Sequence, residues 1–150
     1  MKNKLNLVSQ VSIASVIFIL FLNSTSYSQG WTVQNSGTFE NLNSVSFIEQ
    51  NTGWAVGNAG VVLKTTNGGT NWSSINTGIF NNNTCVLFVN ESTGFITNDN
   101  SRIIQTTNGG LNWLVISPGV AGITYAVSIK FNSTTQGHIL WQNSDITTTT

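Results

Sequence analysis

The sequence predicts an all-β chain, a partial β-propeller with four short antiparallel strands per repeat, and two observations carry that prediction. Tryptophans recur every 41 residues, at Trp31, Trp72 and Trp113. Between them apolar residues alternate with polar ones over short segments, and nowhere do they recur at helical spacing over the length a helix needs. Periods of about 20–50 residues signal propellers or solenoids, and four strands per period are a propeller blade.

Other residues keep the 41-residue spacing. Phe47 pairs with Phe88, Gly53 with Gly94, and Thr65, Thr66, Asn67, Gly68 and Gly69 with Thr106, Thr107, Asn108, Gly109 and Gly110. After a two-residue insertion near Val120 the offset becomes 43, pairing Phe131 with Phe88 and Gly137 with Gly94. The repeats are therefore placed at residues 32–72, 73–113 and an incomplete 114–150. This is two full blades with a part-blade at each end.

In the first copy, residues 43–48 carry Val45 and Phe47 at alternate positions, which is strand periodicity. Gly53, Trp54, Ala55 and Val56 form a second short strand, and residues 57–60 a turn cluster. Residues 61–65 are rich in β-branched side chains and read as the third strand. Asn67, Gly68 and Gly69 make the next turn, and Trp72 opens the fourth strand. A blade has two apolar faces, each covered only by the next blade. Val45, Phe47, Trp54, Val62 and Leu63, with Val86, Phe88, Phe95, Ile103 and Ile104, are the expected inter-blade core.

The N-terminus reads as a signal peptide over residues 1–28. Lys2 and Lys4 give a positive start, residues 11–22 an apolar run short for a membrane span, and Ser26 and Ser28 small residues at the positions a signal peptidase reads. Cleavage is expected before Gln29, with no cysteine nearby to acylate. The mature chain, residues 29–150, is thus expected to be secreted, periplasmic or at the cell surface, and not membrane-spanning after cleavage. Its charges are Lys64, Arg102 and Lys130 against Glu40, Glu49, Glu91, Asp99 and Asp145. Binding nucleic acid requires a basic face, and none is present. The lone Cys85 excludes an intramolecular disulfide and aligns with Ser44 and Ser128, which marks a small tolerated residue.

The hairpin motif has a direct physical reading at Asn67, Gly68, Gly69 and Trp72 and again at Asn108, Gly109, Gly110 and Trp113. The Asn side chain can accept hydrogen bonds from amides further round the turn. The glycines supply positive φ without steric cost. This motif resembles the Asp-box, or BNR repeat, of sialidases and sortilins, with Asn67 and Asn108 where the Asp usually sits. The wider pattern of residues 42–72 is more similar still to the propellers related to the photosystem II assembly and stability factor. That resemblance covers most of residues 31–113 and implies a propeller serving in binding or assembly. The third copy departs from it. His138 stands where Trp54 and Phe95 sit, Thr147 where Leu63 and Ile104 sit, and the chain stops before the expected Asn-Gly-Gly turn. That is the pattern of a fragment.

No catalytic constellation is visible, and no cofactor or metal is expected. A sialidase needs an arginine cluster and a tyrosine nucleophile, and the mature chain has only Arg102 and Tyr125. His138 with Cys85 does not make a zinc site. The candidate binding surface is the loop series joining first to second strands, with Glu49 and Asn51, Asn90 and Glu91, and Thr134 and Gln136. The bland reading is that these loops only connect strands. The expected function is a secreted, non-catalytic binding or assembly module with a protein or glycan as its unknown partner. The alternative is a fragment of a carbohydrate-active, glycosidase-like propeller enzyme, which would need acids converging on one pocket. An open arc of blades would expose apolar faces and strand edges, inviting aggregation, or self-association in which two chains exchange their Trp31 strands.

Overall fold

A computed structural model describes residues 30–116, 126–133, 136–142 and 145–148. The chain divides into two compact units, Met1–Val33 and Gln34–Thr150. Of the first, residues 30–33 are described, and they form no strand or helix. The signal-peptide reading lies outside the described residues.

The second unit holds three antiparallel sheets. The first has the order β1-β2-β3-β4, with β1 Leu42–Phe47, β2 Gly53–Gly57, β3 Val62–Thr65 and β4 Ser73–Ser74. A single 3-10 turn at Asn58–Gly60 joins β2 to β3. The second sheet repeats this order with β5 Asn83–Phe88, β6 Gly94–Asn98, β7 Ile103–Thr106 and β8 Leu114–Ile116. The third contains β9 Ala126–Phe131, β10 Gly137–Trp141 and β11 Ile146–Thr148. Each first strand carries an irregularity at the same repeat position, between Leu42 and Ser44, between Asn83 and Cys85, and opposite Leu140 and Trp141.

Register explains which side chains meet. Val86, Ile96 and Ile104 are cross-strand partners and share the face turned to the first blade. They pack with Phe88 against Trp54, Val56 and Val62. The opposite face carries Cys85, Phe95 and Ile103, which pack against Ala126, Ile129, Ile139 and Trp141 of the third blade. Burial of one such side chain contributes roughly 1.5–3 kcal/mol.

A recurring aromatic arrangement sets the blade spacing. The last residue of each first strand pairs with the glycine that opens the second, as Phe47 with Gly53, Phe88 with Gly94 and Phe131 with Gly137. The ring lies flat on that glycine, so a Cβ on Gly94 would sit 2.5 Å from Phe88 Cζ. Its other face receives an aromatic ring of the preceding blade. Trp54 stacks on Phe88 with centroids 3.4 Å apart, and Phe95 on Phe131 at 4.7 Å.

Three expectations need correction. Val45 and Phe47 are not inter-blade core, being 59% and 45% exposed. Their equivalents Val86 and Phe88 are buried because the first blade covers them. No described blade stands in that position for Val45 and Phe47. Trp31 does not open a strand either, and it is fully exposed. A fourth strand is held by hydrogen bonds to a third, and among the described residues no strand precedes β1. His138, expected at an aromatic core position, is half-buried, with Nδ1 3.1 Å from Thr148 Oγ1. The buried aromatic of that strand is Trp141, whose indole N–H donates to Thr147 Oγ1 at 3.0 Å.

The first strands of successive blades lie side by side, each at the edge of its own sheet. Edge amides need partners. The N–H of Val86 donates to Ser44 Oγ and that of Phe88 to Ser46 Oγ, both at 3.1 Å. At the second interface Cys85 Sγ instead lies 3.6 Å from the Ala126 carbonyl. Burial raises the Cys85 thiol above its ordinary value, and hydrogen bonding with Thr97 and Thr84 offsets part of the rise.

Ser46→Ala strands the buried Phe88 amide and should cost about 1–3 kcal/mol in urea unfolding. Ser73→Ala, at an exposed site, should change stability by less than about 0.5 kcal/mol. Equal effects would show that the stitch contributes nothing. Because the folded thiol holds its proton more tightly than the unfolded one, Cys85 should lower stability as pH rises past its ordinary value of 9.0. Cys85→Ser should remove that alkaline component, measured as unfolding free energy against pH.

Candidate functional site

The hairpins are built from one Thr, one Asn and two glycines. In the first, Thr65 Oγ1 accepts from the Gly69 amide at 2.9 Å and the Asn67 amide at 3.3 Å, and its hydroxyl donates to Asn67 Oδ1 at 3.0 Å. Asn67 Oδ1 also accepts from the Asn71 amide at 2.9 Å. Thr106, Asn108, Gly110 and Asn112 repeat this set at the same distances. Gly68 and Gly69 have φ of +67° and +88°, and Gly109 and Gly110 +69° and +91°. Trp72 and Trp113 then meet Phe47 and Phe88 edge-on, at 6.0 and 6.1 Å between centroids.

The loops joining first to second strands stand at the same end of each blade as these hairpins. The Gly68 amide donates to the Asn51 carbonyl at 2.9 Å, and the Gly109 amide to the Ser92 carbonyl at 2.8 Å. Each loop is closed by an equivalent backbone bond, from Ile48 to Thr52, Val89 to Thr93 and Asn132 to Gln136. Glu49, Asn51, Asn90, Glu91 and Gln136 are all exposed there, and Thr134 lies outside the described residues. Asn90 Oδ1 is spent within its own loop, accepting from the Ser92 and Thr93 amides at 2.9 and 2.7 Å. The Gln136 amide donates to Ser133 Oγ at 3.0 Å, and its side-chain oxygen accepts from Asn132 Nδ2 at 3.0 Å.

The concave feature at these hairpins is a groove of about 330 Å³ between the first and second blades. Lys64, Asn67, Asn71 and Ile75 line one side, Gly109, Gly110 and Leu111 the other. None of the loop residues singled out from the sequence lines it. In the sequence Lys64 stands out only as one charge among eight in residues 29–150. The available signal was its position next to the motif, where the following repeat has Gln105. Among the described residues no group of three or more His, Cys, Asp or Glu could hold a metal ion. No helix among them is long and apolar enough to cross a membrane.

Gly69→Val forces a β-branched residue to positive φ and drives its Cβ into the Gln34 side chain. It should destabilise the fold by at least about 1–3 kcal/mol, whereas exposed Thr70→Val should stay within about 0.5 kcal/mol. Denaturant unfolding of both variants makes the comparison.

The family model of the photosynthesis system II assembly factor YCF48 matches residues 23–119. Among solved structures, YCF48 bound to a D1 peptide is similar, with a TM-score of 0.68 and 23% identity over 78% of this chain and 39% of that one. YCF48 from Cyanidioschyzon merolae superposes with a TM-score of 0.63 at 22% identity, over 75% of this chain and 34% of that one. The chain thus spans less than half the length of either structure. No curated protein matches it.

Proposed function

The chain belongs to the family of the photosynthesis system II assembly factor YCF48, and from that premise we propose that it is a non-catalytic binding module, exported from the cytoplasm, whose partner is a protein. Family membership carries the reading. A similar propeller is bound to a D1 peptide, which supports a peptide segment as the kind of thing recognised. The hairpin and loop ends of the blades supply the surface, rigid in backbone and open in side chain. Rigid loops on a sheet scaffold lose little entropy when they bind. The acids Glu49 and Glu91 stand in loops of different blades and take no part in the groove, so the binding reading is favoured over a glycosidase.

Export rests on Lys2, Lys4, the apolar run of residues 11–22 and the small residues Ser26 and Ser28. Intact-mass analysis of the exported protein should find a mature N-terminus at or within a few residues of Gln29. A product retaining residues 1–28 would remove the export arm. For the partner, cross-linking of the purified mature chain to an envelope extract should yield a saturable protein adduct that excess unlabelled chain competes away. Turnover of chromogenic glycosides without such an adduct would replace the binding module with an enzyme.

A further inference from the structure

Lys64 projects from β3 into the space between the first two blades. Its ammonium donates to the Gly109 carbonyl at 3.1 Å and stands 5.0 Å over the Trp54 ring. A lysine normally swings freely, and fixing it costs entropy on binding. Here two contacts, one from its own blade and one from the next, already hold it in place. An ammonium has three donors, and among the described residues no carboxylate pairs with this one.

The groove around Lys64 is neutral apart from this charge. Asn67 supplies the acceptor that the turn needs without bringing a negative charge, and Asn71 adds a second amide side chain. Leu111 stands at the rim, 80% exposed, where the first hairpin has Thr70. A fixed cation beside an exposed aliphatic side chain matches an acidic residue flanked by apolar ones. A glycan would be served better by an exposed aromatic ring, and no aromatic side chain lines the groove.

We propose that the groove between the hairpins of residues 65–72 and 106–113 binds a short acidic segment of a protein, with Lys64 taking its carboxylate and Leu111 its apolar neighbour. This rests on the reading of the chain as a protein-binding module and names the surface and the chemistry. Binding should weaken with added salt, since the pair is partly exposed.

The probe is a capped peptide of alternating Leu and Asp, titrated into the mature chain and followed at the amide signals of Asn71, Gly109 and Gly110. Its counterpart with Asn in place of Asp is the control. The acidic peptide should bind at least about tenfold more tightly than the control, and Lys64→Gln should erase about tenfold of that affinity. Lys64→Arg should keep it. Asn67→Asp preserves the turn acceptor and places a negative charge in the groove, so it should weaken the acidic peptide without unfolding the hairpin. Equal affinity for the two peptides, or unchanged affinity in Lys64→Gln, would overturn the proposal. If the envelope adduct forms equally well with Lys64→Gln, the groove is excluded while the binding module stands. If neither chain forms an adduct, the binding module fails, and the titration still decides the groove.

Discussion

The fold depends on a ring held between two blades. Phe88 lies on Gly94 of its own sheet and under Trp54 of the sheet before, with Trp113 against its edge. Three local facts meet at that ring. The glycine must lack a Cβ, because a methyl group there would collide with the ring. The hairpin must turn tightly enough to return its tryptophan. The preceding blade must present an aromatic at the start of its second strand. An aromatic pair contributes about 0.5–1.5 kcal/mol beyond its buried area, but the larger effect is geometric. A stack of glycine backbone, phenylalanine ring and tryptophan ring fixes how closely the sheets approach.

The same arrangement explains how far the sequence could be read. Phe47, Phe88 and Phe131 with Gly53, Gly94 and Gly137 kept their spacing, so strand order and the shift in the third copy were legible without coordinates. The Thr-x-Asn-Gly-Gly turns were equally open to reading, because their chemistry is local. Exposure at Val45 and Phe47 was not legible. Those residues match Val86 and Phe88 in type, and only the presence of a covering blade separates the two pairs. Trp31 failed for a related reason. A strand is defined by its partner, and a tryptophan in phase with the others supplies none.

The groove was hidden for a different cause. Lys64 and Leu111 lie on different repeats, and each breaks the repeat rather than keeping it. A search for periodicity discards such residues as noise. Loop residues such as Glu49 and Asn90 drew attention because their loops recur in phase, although the residue at this position differs from copy to copy, and a recurring loop is the signature of a shared structural task. Asn90 performs one by holding its own loop closed.

The two blade interfaces also differ along their inner strands. The first is sewn by hydroxyls, Ser44 and Ser46 receiving the amides of the next strand. The second offers Cys85 and Leu87 at those positions. A blade with two serines there suits a neighbour whose inner-edge amides would otherwise go unpaired, while one with a thiol and a leucine suits an apolar neighbour. The two seams thus differ in kind, one resting on buried hydroxyl acceptors and the other on side chains that give the facing strand no such acceptor.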